Sequence, residues 1–204
     1  MSASSDSKDL RRVILDEARH QLVKHGYNSL SMRRIAKEIG YSATAIYLHF
    51  EGKDALVHAL IDEGMENLFQ RLKEACQEQI QPATRLRTAC LEYVRFGLEN
   101  PEYYEIMHLI HPERMERFPA EMYRRARRSL EFIQDILNRG AAAGLFVLDS
   151  ASVSAAAIWA MLHGVVSLLI SRRVDVRIDP DTLIFTLVSH VVASVTLKPI
   201  RIQA

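Results

Sequence analysis

Cysteine, aromatic residues and net charge are all scarce in this chain of 204 residues. The two cysteines, Cys76 and Cys90, are too few for a disulfide framework, and we expect both to be free structural thiols, with a redox switch as the alternative. No secretory leader precedes the first apolar segment, so a reducing cytoplasm is the expected location. The formal net charge of +1 excludes a broadly basic coat for nucleic acid.

Groupings of residues that would support catalysis are also lacking. The sequence shows no nucleophile with a matching base, no paired carboxylates and no phosphate-binding glycine loop, so we expect neither an enzyme nor a bound cofactor. Glu105, His108 and His111 could share one helix face and ligate zinc, but no fourth ligand is evident. We therefore predict no metal site, and interpret the histidines as a surface or pocket-edge pair.

The segment Ser31 to Asp54, SMRRIAKEIGYSATAIYLHFEGKD, predicts two short helices joined by a tight turn. Ser31 is expected to cap the first helix with its hydroxyl, and Ser42 the second. Gly40 should end the first helix, because glycine adopts a left-handed conformation at little cost. The inward-facing set is predicted to be Ile35, Ala36, Ile39, Ile46 and Phe50.

The residues left outward in this segment suit the major groove of DNA. Ala43 and Thr44 stand at the start of the second helix, where small side chains permit close approach. Around them is a ring of side chains able to bind phosphate: Ser31, Arg33, Tyr47, His49 and Lys53. The alternative is a plain antiparallel helical corner with no ligand.

The rest of the chain is predicted to be helical, giving an all-α fold of about nine helices. The first helix should end at Gly26 after a disordered lead, MSASSDS, and a long helix should run from Lys53 to about Gln79. Further helices are expected to start at Pro82, Pro101, Pro119, Ser150 and Pro180, with residues 174–178 as a loop. We predict a helix-turn-helix domain over residues 1–54 and a helical ligand-binding and dimerisation domain over residues 55–204.

The last two helices carry no Asp, Glu, Lys or Arg from residue 150 to 171 and from 182 to 197. A membrane span is one reading of such a run, but the first run is rich in Ala and Ser and contains His163, and the second is only marginally long enough. A helix that is apolar all round also results when one face meets its own core and the other meets a partner. We therefore predict no membrane contact, and a homodimer formed by a four-helix bundle.

A further feature is the basic run Arg124, Arg125, Arg127 and Arg128. We interpret it as a solvated helix face, with contact to an acidic partner or to additional DNA as the alternative.

The stretch HGYNSLSMRRIAKEIGYSATAIYLHFEGKDAL resembles the DNA-binding domain of the TetR family of bacterial transcriptional regulators. The resemblance covers roughly Leu10 to Leu60 and rests on G-Y-x-x-L-S, I-A-x-x-x-G, Y-x-H-F and G-K-D-A-L, in that order. Farther on, Trp159, His163 and Gly164 resemble the W-x-x-x-H-G (WHG) signature of one type of TetR C-terminal domain. This resemblance implies a homodimer that binds a near-palindromic operator in double-stranded DNA.

The resemblance also implies roles for individual residues. Ala43 and Thr44 would face the bases, Arg33 would read a guanine or hold a phosphate, and the full DNA-contacting set would be Ser31, Arg33, Ser42, Ala43, Thr44, Tyr47, His49 and Lys53. A small apolar or aromatic inducer would bind among the middle helices, lined by Tyr93, Phe96, Tyr104, Met107, His108, Met122, Phe132, Trp159 and His163. Each of these is also readable as ordinary core. Repression is favoured over activation; the alternative function is a structural, chromosome-associated role without an inducer.

Overall fold

The computed structural model of the chain describes residues 3–78, 81–108 and 120–196. Within those ranges the chain is helical and has no strand, as predicted. The α-helices are α1 Ala3–His25, α2 Met32–Glu38, α3 Ala43–Tyr47, α4 Lys53–Ala75, α5 Pro82–Glu99, α6 Pro101–His108, α7 Ala120–Ala126, α8 Arg128–Ala142, α9 Ala151–Ile170 and α10 Pro180–Thr196. A short 3-10 turn, Tyr27–Ser29, follows α1.

Three boundaries differ from the sequence-based expectation. The described part has ten α-helices where about nine were predicted, because the helix expected to start at Pro119 is divided at Arg127 into α7 and α8. Pro119 itself lies outside the described residues. Helix α1 begins at Ala3, so the expected disordered lead is helical from that residue, and α4 ends at Ala75, earlier than predicted.

The first of two compact units comprises residues 1–66 and 101–125. Its apolar core includes Ile14 and Leu22 of α1, Ile35 of α2 and Ile46 of α3, each at most 1 % exposed. Helix α1 packs against α2 and α6, and α2 packs against α3. The three N-terminal helices and the start of α4 thus share one core, which holds α3 at the surface.

Polar contacts within this unit connect α1 to α6. Arg19 donates to Glu102 at 3.0 Å, and its guanidinium lies 5.0 Å from the ring centroid of Tyr103. Arg12 pairs with Glu63 of α4 and donates to the Tyr103 hydroxyl at 3.3 Å. Tyr103 in turn donates to Glu63 at 2.6 Å. These contacts hold α1, which supports the helix-turn-helix, against α4 and α6.

The second unit comprises residues 67–100 and 126–204. Helix α5 is central in it, packing against α8, α9 and α10. One face of α5 is buried, and it includes Leu86, Ala89, Cys90, Tyr93, Val94 and Gly97. Residues 171–179 form the predicted loop, and the Asp179 carboxylate accepts from the amide of Thr182 at 2.8 Å, which caps α10.

Helix α9 is apolar but largely uncovered within the single chain. Its mean hydropathy is 2.0 over an 18-residue window, of which 28 % is buried. By length and composition α9 could cross a membrane, but a single helix of this kind is weak evidence for a membrane span. Val153, Trp159, Met161 and Leu168 are exposed along it, and Phe185 is exposed on α10. The apolar surface that led us to predict a dimer is therefore present on the described helices.

Candidate nucleic-acid interface

The turn between α2 and α3 is made by the predicted glycine. Gly40 has φ +75°, and the amide of Tyr41 donates to the Ala36 carbonyl at 2.9 Å, which satisfies a free carbonyl at the end of α2. A residue with a Cβ would be strained in this conformation. Ile46 is fully buried and Phe50 is 5 % exposed, so both side chains pack into the core and fix α3 in place. The corner therefore has the tight geometry that the sequence predicted.

Of the two predicted caps, one is confirmed and one is wrong. The Ser42 hydroxyl accepts from the amide of Ala45 at 3.1 Å, so α3 begins at a capped end. Ser31 occupies the N-cap position of α2 with extended backbone angles, but its hydroxyl makes no capping hydrogen bond. Its side chain is exposed instead, which is compatible with a contact outside the helix. A serine at the N-cap position therefore does not by itself show that its hydroxyl caps the helix.

Helix α3 presents a surface of small and polar groups. Ser42, Thr44 and Tyr47 are exposed, Ala43 and His49 are partly exposed, and Tyr47 has 51 % of its surface accessible. Arg33, on α2, is exposed as well. The eight residues predicted to contact DNA thus all belong to α2, α3, the adjoining turns and the start of α4, inside one compact unit.

Lys53 opens α4 and is held by an aromatic ring. Its ammonium lies 4.1 Å from the centroid of Tyr27, whose hydroxyl bonds to the Asp54 carboxylate. A cation–π contact of this kind restricts the lysine side chain without neutralising its charge. Lys53 is therefore a partly ordered cation beside α3.

One exposed residue was missed by the sequence reasoning. Tyr41 immediately follows the Gly40 turn and has 51 % of its surface accessible. The signal available for Tyr41 was its position directly after the Gly40 turn.

The residues predicted to line an inducer pocket fall into both units. Tyr104, Met107, His108 and Met122 belong to the first unit. The second contains Tyr93, Phe96, Phe132, Trp159 and His163. Tyr93, Phe96, Tyr104 and Met107 are buried, whereas Trp159 is 38 % exposed.

Trp159 and His163 stack on each other one turn apart on α9. Their ring centroids are 5.4 Å apart with an interplanar angle of 21°. Burial lowers the pKa of His163 below its ordinary value, because the charged imidazolium loses water. Trp159 and His163 thus form a stacked aromatic pair on an apolar helix.

A separate open groove of about 330 Å³ lies in the second unit. Its walls come from the turn before α9, from α9 and from the end of α10, and include Val147, Val153, Met161 and Val195. The nine predicted pocket residues are not among those that line it. Among the described residues no group of three His, Cys, Asp or Glu side chains could hold a metal ion, and His111, one of the three possible zinc ligands, lies outside those residues.

Two family models match this chain. Residues 14–60 match the model described as bacterial regulatory proteins, tetR family, and residues 86–191, more than half of the chain, match the tetracyclin repressor-like C-terminal domain. The chain belongs to the TetR family. The first match contains the whole α2–turn–α3 corner, so this TetR-family protein is a DNA-binding transcriptional regulator.

Solved structures share the fold over nearly the whole chain. A protein of unknown function from Rhodococcus sp. RHA1 is 26 % identical with a TM-score of 0.79, covering 92 % of this chain and 96 % of its own. AibR, solved in complex with isovaleryl coenzyme A and operator DNA, is 20 % identical (TM-score 0.71; 88 % and 96 % covered). The regulator FadR from Bacillus subtilis, solved with stearoyl-CoA, is 17 % identical (TM-score 0.73; 90 % and 98 % covered). The family and these regulators are transcription factors and not enzymes.

Proposed function

We propose that this TetR-family protein is a cytoplasmic repressor that binds a near-palindromic operator as a homodimer and is released by a small-molecule inducer. The observation that carries the DNA-binding part is the exposed helix α3, capped by Ser42 and anchored by the buried Ile46. We assign residues 1–54 to the DNA-binding domain and 55–204 to the ligand-binding and dimerisation domain. A dimer that occupies a promoter blocks polymerase without any further contact.

The proposed DNA contacts are of two kinds, contacts to bases and contacts to phosphates. Ala43 and Thr44 face the bases, and the Thr44 methyl suits a thymine methyl group. The phosphate contacts fix the position of the protein on the duplex. They are made by Ser31, Arg33, Ser42, Tyr47, His49 and Lys53, to which we add Tyr41 because it is exposed beside the turn. With so few long polar side chains on α3, DNA shape contributes to the choice of site.

Dimerisation takes place through α9 and α10. Their exposed apolar side chains leave an uncovered surface that a second copy would bury on both subunits at once. In the dimer, two copies of α3 about 34 Å apart contact successive major grooves. Two such contacts raise the specificity for the operator above that of a single short helix. The Trp159–His163 stack, followed by Gly164, supports assignment of the C-terminal domain to the W-x-x-x-H-G type.

The inducer is an amphipathic molecule with an apolar body. Two regulators of this fold were solved with acyl-CoA ligands, isovaleryl coenzyme A and stearoyl-CoA. Of the aromatic, Met and His set predicted from sequence, the four residues of the first unit are the lining we propose: Tyr104, Met107, His108 and Met122. A ligand that prefers one arrangement of α6 would act on α1 through the Arg19–Glu102 and Arg12–Tyr103 contacts, and so shift the population that binds DNA.

Genome-wide footprinting of the bound protein tests the proposal. We expect one or a few promoters, each with an inverted repeat, and higher expression of the adjacent genes when the protein is deleted. Many dispersed sites with unchanged expression would instead support the chromosome-associated role and contradict repression. Titration of the purified operator complex with short- and long-chain acyl-CoA then tests release, and an operator complex unaffected by all of them would argue against this class of inducer.

A further inference from the structure

Two cations near the turn between α3 and α4 lie over aromatic rings. The guanidinium carbon of Arg11, on α1, is 5.1 Å from the ring centroid of Phe50, which lies between the end of α3 and the start of α4. The ammonium of Lys53, the first residue of α4, is 4.1 Å from the ring centroid of Tyr27. All four residues belong to the first unit. The fold thus brings a cation from α1 to the turn that precedes a proposed phosphate contact, Lys53.

Arg11 differs from the other two arginines of α1 in its partners. Arg12 pairs with the carboxylates of Asp16 and Glu63, and Arg19 also pairs with Asp16. Both are therefore used inside the protein, to hold α1 in place. Within the part of the chain that the structure describes, Arg11 makes no ion pair with Asp or Glu, and its side chain is exposed. Its positive charge is available to a partner outside the protein.

A cation that lies over a ring is ordered but not neutralised. The cation–π contact attracts the charge to the face of the ring without adding an opposite charge. A guanidinium keeps its N–H donors in its own plane, along its edges, where phosphate oxygens can accept paired hydrogen bonds. Ordering the side chain beforehand also lowers the entropy that it loses when it binds. An exposed arginine held in this way is suited to bind phosphate.

Phe50 connects Arg11 to the helix-turn-helix. The ring is 5 % exposed, and the amide of Phe50 donates to the Ile46 carbonyl at 3.0 Å, so Phe50 is fixed to the end of α3. The residue before it is His49, a proposed phosphate contact. The Arg11 guanidinium therefore lies close to the segment that carries the proposed contacts. Sequence reasoning left Arg11 out because it belongs to α1, outside the segment from Ser31 to Asp54.

We propose that Arg11 is a further phosphate contact of the DNA-binding unit, and that Phe50 is the positioning residue that holds it beside α3. The inference rests on the proposed function, since the ligand is the phosphodiester backbone of duplex DNA. It deepens that function, because α1 contacts DNA together with α2, α3 and the start of α4. A backbone phosphate carries no base identity, so Arg11 strengthens binding to every duplex and does not discriminate among sequences.

The salt dependence of DNA binding by the full chain tests the contact. Fluorescence anisotropy compares wild type, Arg11→Gln and Arg173→Gln on two labelled duplexes, the operator found by footprinting and a scrambled duplex of equal length. Arg173 is an exposed arginine of the loop between α9 and α10, outside the DNA-binding unit, so its loss is the matched control. We expect Arg11→Gln to lower the slope of log affinity against log salt on both duplexes, by about one for each Arg11 that contacts phosphate.

The same expectation can be stated as a ratio of affinities. Between about 50 and about 200 mM salt, the wild-type affinity should fall about 3.5-fold further than that of Arg11→Gln for each such contact. Arg173→Gln should match the wild type. Arg11→Lys keeps the charge and should restore the slope. Should Arg11→Gln fail to fold by circular dichroism, Arg11→Met, which keeps an unbranched side chain, replaces it with the same expected slope.

A double-mutant cycle tests the positioning role of Phe50. Phe50→Leu removes the ring and keeps an apolar side chain in the core. It should weaken binding to both duplexes, and the loss should be smaller when Arg11 has already been replaced by Gln. Equal losses in the two backgrounds would mean that the ring supports α3 alone, and the positioning role of Phe50 would be wrong.

The outcomes separate this inference from the proposed function. Weaker binding by Arg11→Gln at an unchanged slope, or an equal fall of the slope in Arg173→Gln, overturns the phosphate contact. If Lys53→Ala still lowers the slope in that case, the proposed DNA-binding function stands without a contact from α1. An Arg11-dependent slope in a protein that binds operator and scrambled duplex equally well would support the contact and contradict the operator-specific repressor.

Discussion

Lys53 allows the proposed phosphate contacts to be tested at a single side chain. Its ammonium lies 4.1 Å from the centroid of the Tyr27 ring, which orders the side chain at the start of α4. A phosphate bound there releases about one counterion from DNA. We expect Lys53→Ala to weaken binding to all sequences and to lower the slope of log affinity against log salt by about one.

Lys73 supplies the matched control for this measurement. It is an exposed lysine in the last turn of the same helix, twenty residues farther on. Lys73→Ala removes the same charge and should leave the salt slope as in the wild type. An unchanged slope in Lys53→Ala, or equal slopes in the two variants, would contradict the phosphate contact.

Thr44 should affect the choice of sequence and not the general affinity. Its side chain is exposed on α3, where its methyl group can meet a thymine methyl. Thr44→Ser removes that methyl and keeps the hydroxyl, so we expect discrimination between thymine and deoxyuridine at one operator position to disappear. Competition binding with deoxyuridine-substituted operators measures this, and retained discrimination would place the readout elsewhere.

Gly140 lies where the packed core leaves no room for a side chain. A Cβ built there would overlap the ring of Phe146, which is 4 % exposed. Because well-packed cores resist added volume, Gly140→Ala should lower the free energy of unfolding by about 1–3 kcal/mol. Urea unfolding measures the change. The cost should shrink in a Phe146→Leu background, and an equal cost in both backgrounds would show that the overlap is not its cause.

At the scale of elements, α9 combines an apolar surface with a partly buried titratable group, His163. Burial holds the pKa of His163 below its ordinary value, so the folded chain binds the proton more weakly than the unfolded chain does. The free energy of unfolding should therefore fall as the pH drops below about 6.5, the ordinary histidine value.

Comparison with His163→Gln isolates this contribution. The wild type should lose more stability than the variant between about pH 7.5 and about pH 5.5 in urea unfolding. Trp159, the only tryptophan of the chain, stacks on His163 and reports its protonation through fluorescence. Equal pH dependence in the two proteins would mean that His163 keeps its proton affinity on folding.

The division of one predicted helix into α7 and α8 is also an element-scale result. Met122, Ala126, Leu130, Ile133 and Leu137 recur at the spacing of one continuous helix face. The structure buries Ile133 and Leu137 and leaves Met122, Ala126 and Leu130 partly exposed. Arg127 interrupts the helix without any Gly or Pro to mark the position. Such a break depends on what each half packs against, which local sequence does not encode.

At the scale of the whole molecule, the uncovered face of α9 and α10 is the feature to test. Met161 and Leu168 lie two turns apart on α9 and are 38 % and 46 % exposed. We expect the wild type to sediment at twice the chain mass of 23.2 kDa. Met161→Glu and Leu168→Glu should give monomers that bind operator DNA far more weakly, because each buried charge in the interface would be unpaired.

Val176 offers the control for this experiment. It is a 99 % exposed apolar residue in the loop between the two helices. Val176→Glu introduces the same charge outside α9 and α10, and the dimer should persist. A monomeric wild type, or dissociation by Val176→Glu as complete as by Leu168→Glu, would contradict assembly through these helices.

Local sequence determined the helical elements, the Gly40 turn, the Ser42 cap and the family to which the chain belongs. The helices, the turn and the cap each depend on residues close in sequence. They need apolar residues at helical spacing, a glycine in the left-handed conformation, and a serine hydroxyl that accepts a hydrogen bond from the amide three residues later. The α1–α6 contacts, the exposure of Tyr41 and the placement of Arg11 over Phe50 were decided only by tertiary structure. Those residues are far apart along the chain, and their meeting depends on how the helices pack, because no local pattern specifies which face of one helix a distant side chain will reach.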